Sequence, residues 1–146
     1  LVGGTFTNLQ VEGVRIGVAT DLGKANDLVR RRLSDCAALV LESNYCPDML
    51  RDSSYPEAIR QRIRSHHGHL SNQDMNSLLK SLLHTDLQWV VAVHVSRENN
   101  STEKVEDMAK RVLKRHSARL HVAAQDAPTP LMRIEAPAAP SLGRAA

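Results

Sequence analysis

The chain has 146 residues, 42% of them apolar, with four aromatic residues, two cysteines and no apolar run approaching the ~20 residues that a membrane-spanning helix needs. This excludes fibrous, disulfide-scaffold and membrane-spanning classes and leaves a globular domain long enough to bury about two thirds of its unfolded surface. The 19 basic and 16 acidic residues give a net charge of +3, too slight by itself to mark a nucleic-acid binder. Cys36 and Cys46 read as reduced thiols, and residues 1–20 lack the basic start and apolar stretch of a signal peptide, so a cytoplasmic setting is expected. The first residue is Leu1 rather than Met, and the expectation is a piece of a longer protein.

In chain order, a strand is expected over about 5–11, followed by Glu12-Gly13, which suits a tight hairpin turn. Val14, Ile16 and Val18 then alternate with Arg15, Gly17 and Ala19, the period-two pattern of a strand with one buried face. A short helix is expected over 24–33. Ala37 to Leu41 is a continuous apolar run and reads as a strand buried on both faces. A second short helix is expected over 56–65. Met75, Leu78, Leu79, Leu82 and Leu83 fall at i, i+3, i+4, i+7 and i+8, with Ser71 and Asp74 placed as a capping box. Trp89 to Val95 is another buried strand. Val105, Met108, Ala109, Val112 and Leu113 repeat the helical spacing, with Asn100 and Glu103 as cap and reach-back and Lys110, Arg111, Lys114 and Arg115 complementing the C-terminal dipole. Arg119 to Ala124 and Leu131 to Glu135 read as two further strands. Strands alternating with single amphipathic helices define an α/β fold, with helices packed on a sheet. From Asp126 on the chain holds four of its six prolines, and residues 136–146 read as a disordered Ala/Pro-rich tail.

Two residues close buried strands. Asp21, in Ala19-Thr20-Asp21-Leu22-Gly23, stands where the chain leaves the sheet, the rim on which α/β sites form. Taken alone it reads first as a helix cap. His94 closes the run Val91-Ala92-Val93-His94 and taken alone reads first as a core histidine. Together they are a carboxylate and an imidazole, each suited to a divalent metal.

Thr20-Asp21-Leu22-Gly23, Leu41-Glu42-Ser43-Asn44, Gly68-His69-Leu70-Ser71-Asn72 and His94-Val95-Ser96-Arg97-Glu98-Asn99-Asn100, in this order, resemble the C-terminal half of a metallo-β-lactamase-fold hydrolase, in the branch of the WalJ-type exonucleases. The resemblance is strongest over 11–124. It implies an αβ/βα sandwich, of which residues 1–135 form part, and a dinuclear site for two divalent metal ions, zinc or manganese. By the same resemblance Asp21 is the carboxylate bridging the two metals, His94 a ligand of the second, and His69 a substrate-facing residue in the loop over the site. The implied activity is a phosphodiesterase or nuclease, acting on DNA or another phosphodiester through metal-bound hydroxide.

The family's first metal motif, His-x-His-x-Asp-His, occurs nowhere in the chain, and all seven histidines lie at position 66 or later. Tyr45-Cys46 also stands where the family continues Glu-Ser-Asn with His-Asp. The expectation is therefore a C-terminal part that alone binds no metal tightly and is inactive. The alternative is a non-catalytic, truncated or diverged half-domain, an interaction module or gene remnant whose uncovered sheet face dimerises or aggregates. A phosphate-binding module is a weaker reading, since no Gly-rich phosphate loop is present.

His66, His67 and His69 lack the i, i+4 spacing of a helical metal pair and read as a solvated loop, with His69 having the better claim to a site. Arg30, Arg31, Arg32, Arg60, Arg62 and Arg64 read as solvated helix faces ahead of a phosphate-binding surface. Cys36 reads as a small buried residue, and Cys46 has no partner histidine at a recognisable spacing.

Overall fold

The hairpin forms as expected. In the computed structural model, which describes residues 5–136, β1 (Thr5–Val11) pairs antiparallel with β2 (Val14–Thr20) in the register Leu9 opposite Ile16 and Val11 opposite Val14. Glu12 and Gly13 both take positive φ, 50° and 81°, the left-handed pair that a two-residue turn between twisted strands requires. The chain then runs α1 (Asp27–Leu33), β3 (Ala38–Glu42), α2 (Pro47–Arg51), α3 (Glu57–Arg64), α4 (Asn72–Leu82), β4 (Trp89–Val93), α5 (Thr102–Leu113) and β5 (Arg119–Val122).

The five strands form one sheet in sequential order, and β2 to β5 are all parallel. Parallel crossovers are right-handed, so a series that always steps in the same direction stacks its helices on one face. The core lies there: Val29 and Leu33 of α1, Met75, Leu78, Leu79 and Leu82 of α4, and Val105, Ala109 and Leu113 of α5 pack on Ala19, Leu39, Leu41, Val90 and Ala92. In β2 the fully buried positions are therefore Gly17 and Ala19, and the Val14, Ile16 and Val18 face, which the alternation marks as the apolar one, is only half-buried. It continues through Val40 and Val93, also half-buried, and through buried Ala38 and Val91, none of which belongs to the core cluster.

Ser71 caps α4 as expected, accepting from the Asp74 amide at 3.0 Å and donating to the Asp74 carboxylate at 2.7 Å. The α5 cap is one residue later than the capping-box spacing suggests. Ser101, not Asn100, accepts from an amide of the first turn, that of Lys104, at 3.3 Å, because the Asn100 side chain is buried and committed elsewhere. The helix expected from residue 24 starts at Asp27, capped by Asn26 at 3.0 Å. Helix α2, five residues long, carries no periodicity to read and follows from Pro47 at its first position.

Leu131–Glu135 is not a strand. Pro128 and Pro130 precede it, Leu131 is fully exposed, and the segment is pinned by side chains instead of a ladder. Gln88 brackets Glu135 with two 2.8 Å bonds, and the Trp89 indole donates to the Arg133 carbonyl at 3.0 Å. Of the tail expected over 136–146, residues 137–146 lie outside the described residues.

Candidate metal centre

Three neighbouring parallel strands end on polar residues at the same rim of the sheet. Asp21 follows the last residue of β2, Glu42 is the last of β3, and His94 follows the last of β4. This is the carboxyl-end crevice where open α/β sheets place their sites. Asp21 and His94 both adopt left-handed backbone, φ 54° and 57°, a conformation that costs non-glycine residues energy and that clusters at functional sites. It turns each side chain over the strand ends. His69, from the loop between α3 and α4, closes the group, and the four residues offer ligand atoms that all lie within 4.8 Å of one another.

Glu42 organises the cluster. Its carboxylate is fully buried, and Oε2 accepts from the amides of Leu22 at 3.0 Å and Leu70 at 3.3 Å. Oε1 is hydrogen-bonded to His69 Nδ1 at 2.7 Å and lies 2.8 Å from His94 Nδ1. The two imidazoles meet edge to face with ring centroids 4.9 Å apart. Asp21 stands at the open side, more than half exposed, with Oδ1 3.6 Å from His69 Nδ1 and 3.7 Å from His94 Nδ1. The hydrogen bond to Glu42 raises the His69 pKa against the opposing effect of burial, and the charges of Glu42 and Asp21 act in the same direction.

The loops carrying these residues are tied together underneath. Ser43 Oγ donates to Asn72 Oδ1 at 2.8 Å, Asn72 Nδ2 to Asn100 Oδ1 at 2.8 Å, and Asn100 Nδ2 to the Ser43 carbonyl at 2.9 Å. Asn44 Nδ2 donates to the His94 carbonyl at 2.8 Å, fixing that left-handed turn. Gly23 seats the Asp21 loop against the His69 loop, since a Cβ there would collide with the backbone of Ser65 and His66. Gly23→Ala is expected to lower stability by about 1–3 kcal/mol, read as an earlier urea midpoint, because backbone cannot move aside as a flexible side chain can.

Asp21 and His94, singled out in the sequence, are thus brought together, and His69, expected to face substrate from the loop over the site, lies within the same cluster. His66 and His67 remain exposed, as expected for a solvated loop. Cys36 is fully buried, and burial raises its thiol pKa. Glu42 is the member of the cluster to which the sequence alone assigned no role. The signal was present: a carboxylate ends the apolar run Leu39-Val40-Leu41, and an acid so placed is almost never buried without partners.

A sheet of parallel strands backed by helices on one face, with a carboxylate and imidazole cluster at its rim, is the arrangement of the metallo-β-lactamase fold, and the chain carries part of that fold. The solved structure of the metallo-β-lactamase fold protein YhfI from Bacillus subtilis superposes with a TM-score of 0.57, covering 81% of this chain and 40% of that one at 14% identity. Within the fold the chain is related in sequence to two exodeoxyribonucleases. It is 30% identical over 89 residues to YycJ of Bacillus anthracis, 61% of this chain and 34% of that protein. It is 32% identical over 84 residues to WalJ of Streptococcus pneumoniae, 58% of this chain and 31% of that protein. The chain therefore spans about a third of the length of these curated relatives. No protein-family model matches it. No helix among the described residues is long and apolar enough to cross a membrane.

Proposed function

We propose that this chain contributes the Asp21, Glu42, His69 and His94 part of a divalent-metal centre in a phosphodiesterase or nuclease acting on DNA. The observation that carries the reading is the convergence of these four side chains on the ends of three adjacent strands. The likeness to exodeoxyribonucleases supports DNA as the substrate class. Two imidazoles and the Asp21 carboxylate fit a hard or borderline cation such as zinc or manganese, and the fully buried Glu42 carboxylate, with no lysine or arginine partner among the described residues, fits the role of holding the imidazoles toward one.

In this reading Asp21 and His94 are ligands, as the resemblance implies, and His69 belongs to the donor set in addition to facing substrate. Glu42 holds both imidazoles by Nδ1, which leaves each Nε2 free to face a cation, the carboxylate–histidine pairing common in metal sites. A divalent ion there supplies Lewis acidity to a phosphoryl oxygen and lowers the pKa of a water. Calorimetric titration of the purified chain with Mn2+ or Zn2+ is expected to give one weakly held ion per chain, reversed by chelation. The absence of saturable binding would sink the reading. The chain alone is expected to leave bis(p-nitrophenyl) phosphate intact, since the family's first metal motif, His-x-His-x-Asp-His, is absent from it. Turnover proportional to loaded metal would refute that expectation.

The half-buried Ile16, Val18, Val40 and Val93 face favours a second reading, an interaction module that pairs two copies through this sheet face. Sedimentation of the chain as a monomer at high micromolar concentration would exclude it.

A further inference from the structure

We propose that Arg62 is the phosphate anchor of the candidate site, binding a backbone phosphate of a single DNA strand whose neighbouring phosphodiester lies at the metal cluster. This rests on the metal-dependent nuclease reading and names a residue outside the ligand set.

Helix α3 divides its side chains by period. Glu57, Arg60 and Arg64, at i, i+3 and i+7, form one face and pair among themselves, Arg60 with Glu57 at 2.8 Å and Arg64 with Glu57 at 3.0 Å. Ile59, Arg62 and Ile63, at i, i+3 and i+4, form the opposite face, which lines a cavity of about 440 Å3 whose far wall is Asp21 and His69. Arg62 makes no ion pair or side-chain hydrogen bond among the described residues and lines the same cavity as Asp21 and His69. The other arginines of the sequence's basic groups do not reach this cavity. Arg30 bonds Ser81, and Arg32 lies on the β1 side of α1.

A cavity with free cation, candidate metal ligands and two isoleucines fits one nucleotide unit of a strand: phosphate on the guanidinium, apolar base or sugar edge on Ile59 and Ile63, and the next linkage toward the cluster. Its volume is of the order of one such unit. Ile59 is 42% exposed and Ile63 half-buried on a helix with no buried residue, as a contact surface for a ligand would be. Gly68 holds the cavity floor against α3, since a Cβ would strike the Arg62 and Ile63 carbonyls.

The test is fluorescence anisotropy of a labelled single-stranded DNA of about eight nucleotides on the full 146-residue chain, over a salt series, in Mn2+ and again in EDTA. Arg62→Ala is expected to weaken binding about three- to tenfold and to reduce the salt slope by about 0.7, the share of one phosphate contact on a single strand. Arg62→Lys should recover most of the affinity, and Arg64→Ala, on the ion-paired face, should leave it unchanged. Failure of the metal reading would appear as identical binding in Mn2+ and EDTA, with the Arg62→Ala ratio still readable. No wild-type binding, no loss in Arg62→Ala, or an equal loss in Arg64→Ala would overturn the assignment.

Discussion

Replacing Glu42 by glutamine is expected to weaken divalent-metal binding ten- to a hundredfold, on the order found for groups that orient metal-ligating histidines, while the chain stays folded. The side chain keeps its volume, so no cavity opens beneath the cluster. Its chemistry changes at both ends. In the wild type one carboxylate oxygen accepts from two backbone amides and the other faces Nδ1 of both His69 and His94. Glutamine must turn its NH2 toward one of these groups. Turned toward the Leu22 and Leu70 amides, it sets donor against donor in a fully buried place. Turned toward the imidazoles, it forces each Nδ1 to accept, which moves the ring proton to Nε2 and removes the lone pair proposed to face a cation. The second orientation is less costly, and it is the one that disables the site. Asp21→Asn and His94→Gln remove proposed ligands outright and should cost a hundredfold or more. Mn2+ titration, with far-ultraviolet circular dichroism as the fold control, checks all three. Unchanged affinity in Glu42→Gln would remove Glu42 from the site.

The parts of this site that could be read in sequence share one physical signal. Asp21 and His94 each follow an apolar run that only a buried strand explains, and a titratable group at such a place stands at a sheet rim. Glu42 carries the same signal but lies inside the run Leu39-Val40-Leu41-Glu42-Ser43, where spacing does not distinguish the last strand residue from the first loop residue. His69 could be placed near the site only by resemblance, because its position depends on a loop whose path is fixed by Gly68 against α3 and by the Glu42 carboxylate, which holds His69 Nδ1 and the Leu70 amide. The hairpin, the α/β class and helices α4 and α5 were legible because turn chemistry, capping and period act over a few residues. Strand-like Leu131–Glu135 was not, since period two records which faces could be buried and not whether a segment joins a ladder, and this one is held by the side chains of Gln88 and Trp89 instead. Asn100 was misassigned as a cap for a related reason: a local rule fits it, but a tertiary partner claims its side chain first.

Asn100→Leu is accordingly expected to destabilise the chain by about 2–4 kcal/mol, a large part of the 5–15 kcal/mol typical of a domain. The substitution is nearly isosteric and would be mild at an exposed helix start. Here it strands several groups at once. Asn72 Nδ2 loses its acceptor, the Ser43 carbonyl loses its donor and the Ser101 amide loses the Asn100 oxygen, all where Asn72 and Asn100 are almost completely buried. With a urea slope of about 1–3 kcal/mol per molar, the midpoint should fall by roughly 1–2 M. The effect reaches the site through geometry. Asn100 joins the segment after β4 to the one after β3, and Asn72 joins both to the start of α4, so the three loops that carry His94, Glu42 and His69 share this knot. Metal affinity should fall along with stability, and in a double-mutant comparison Asn72→Leu added to Asn100→Leu should cost much less than the sum of the two single losses, because each already empties the same network. Additive losses would mean that the two asparagines act separately and that the loops are held in place by something else.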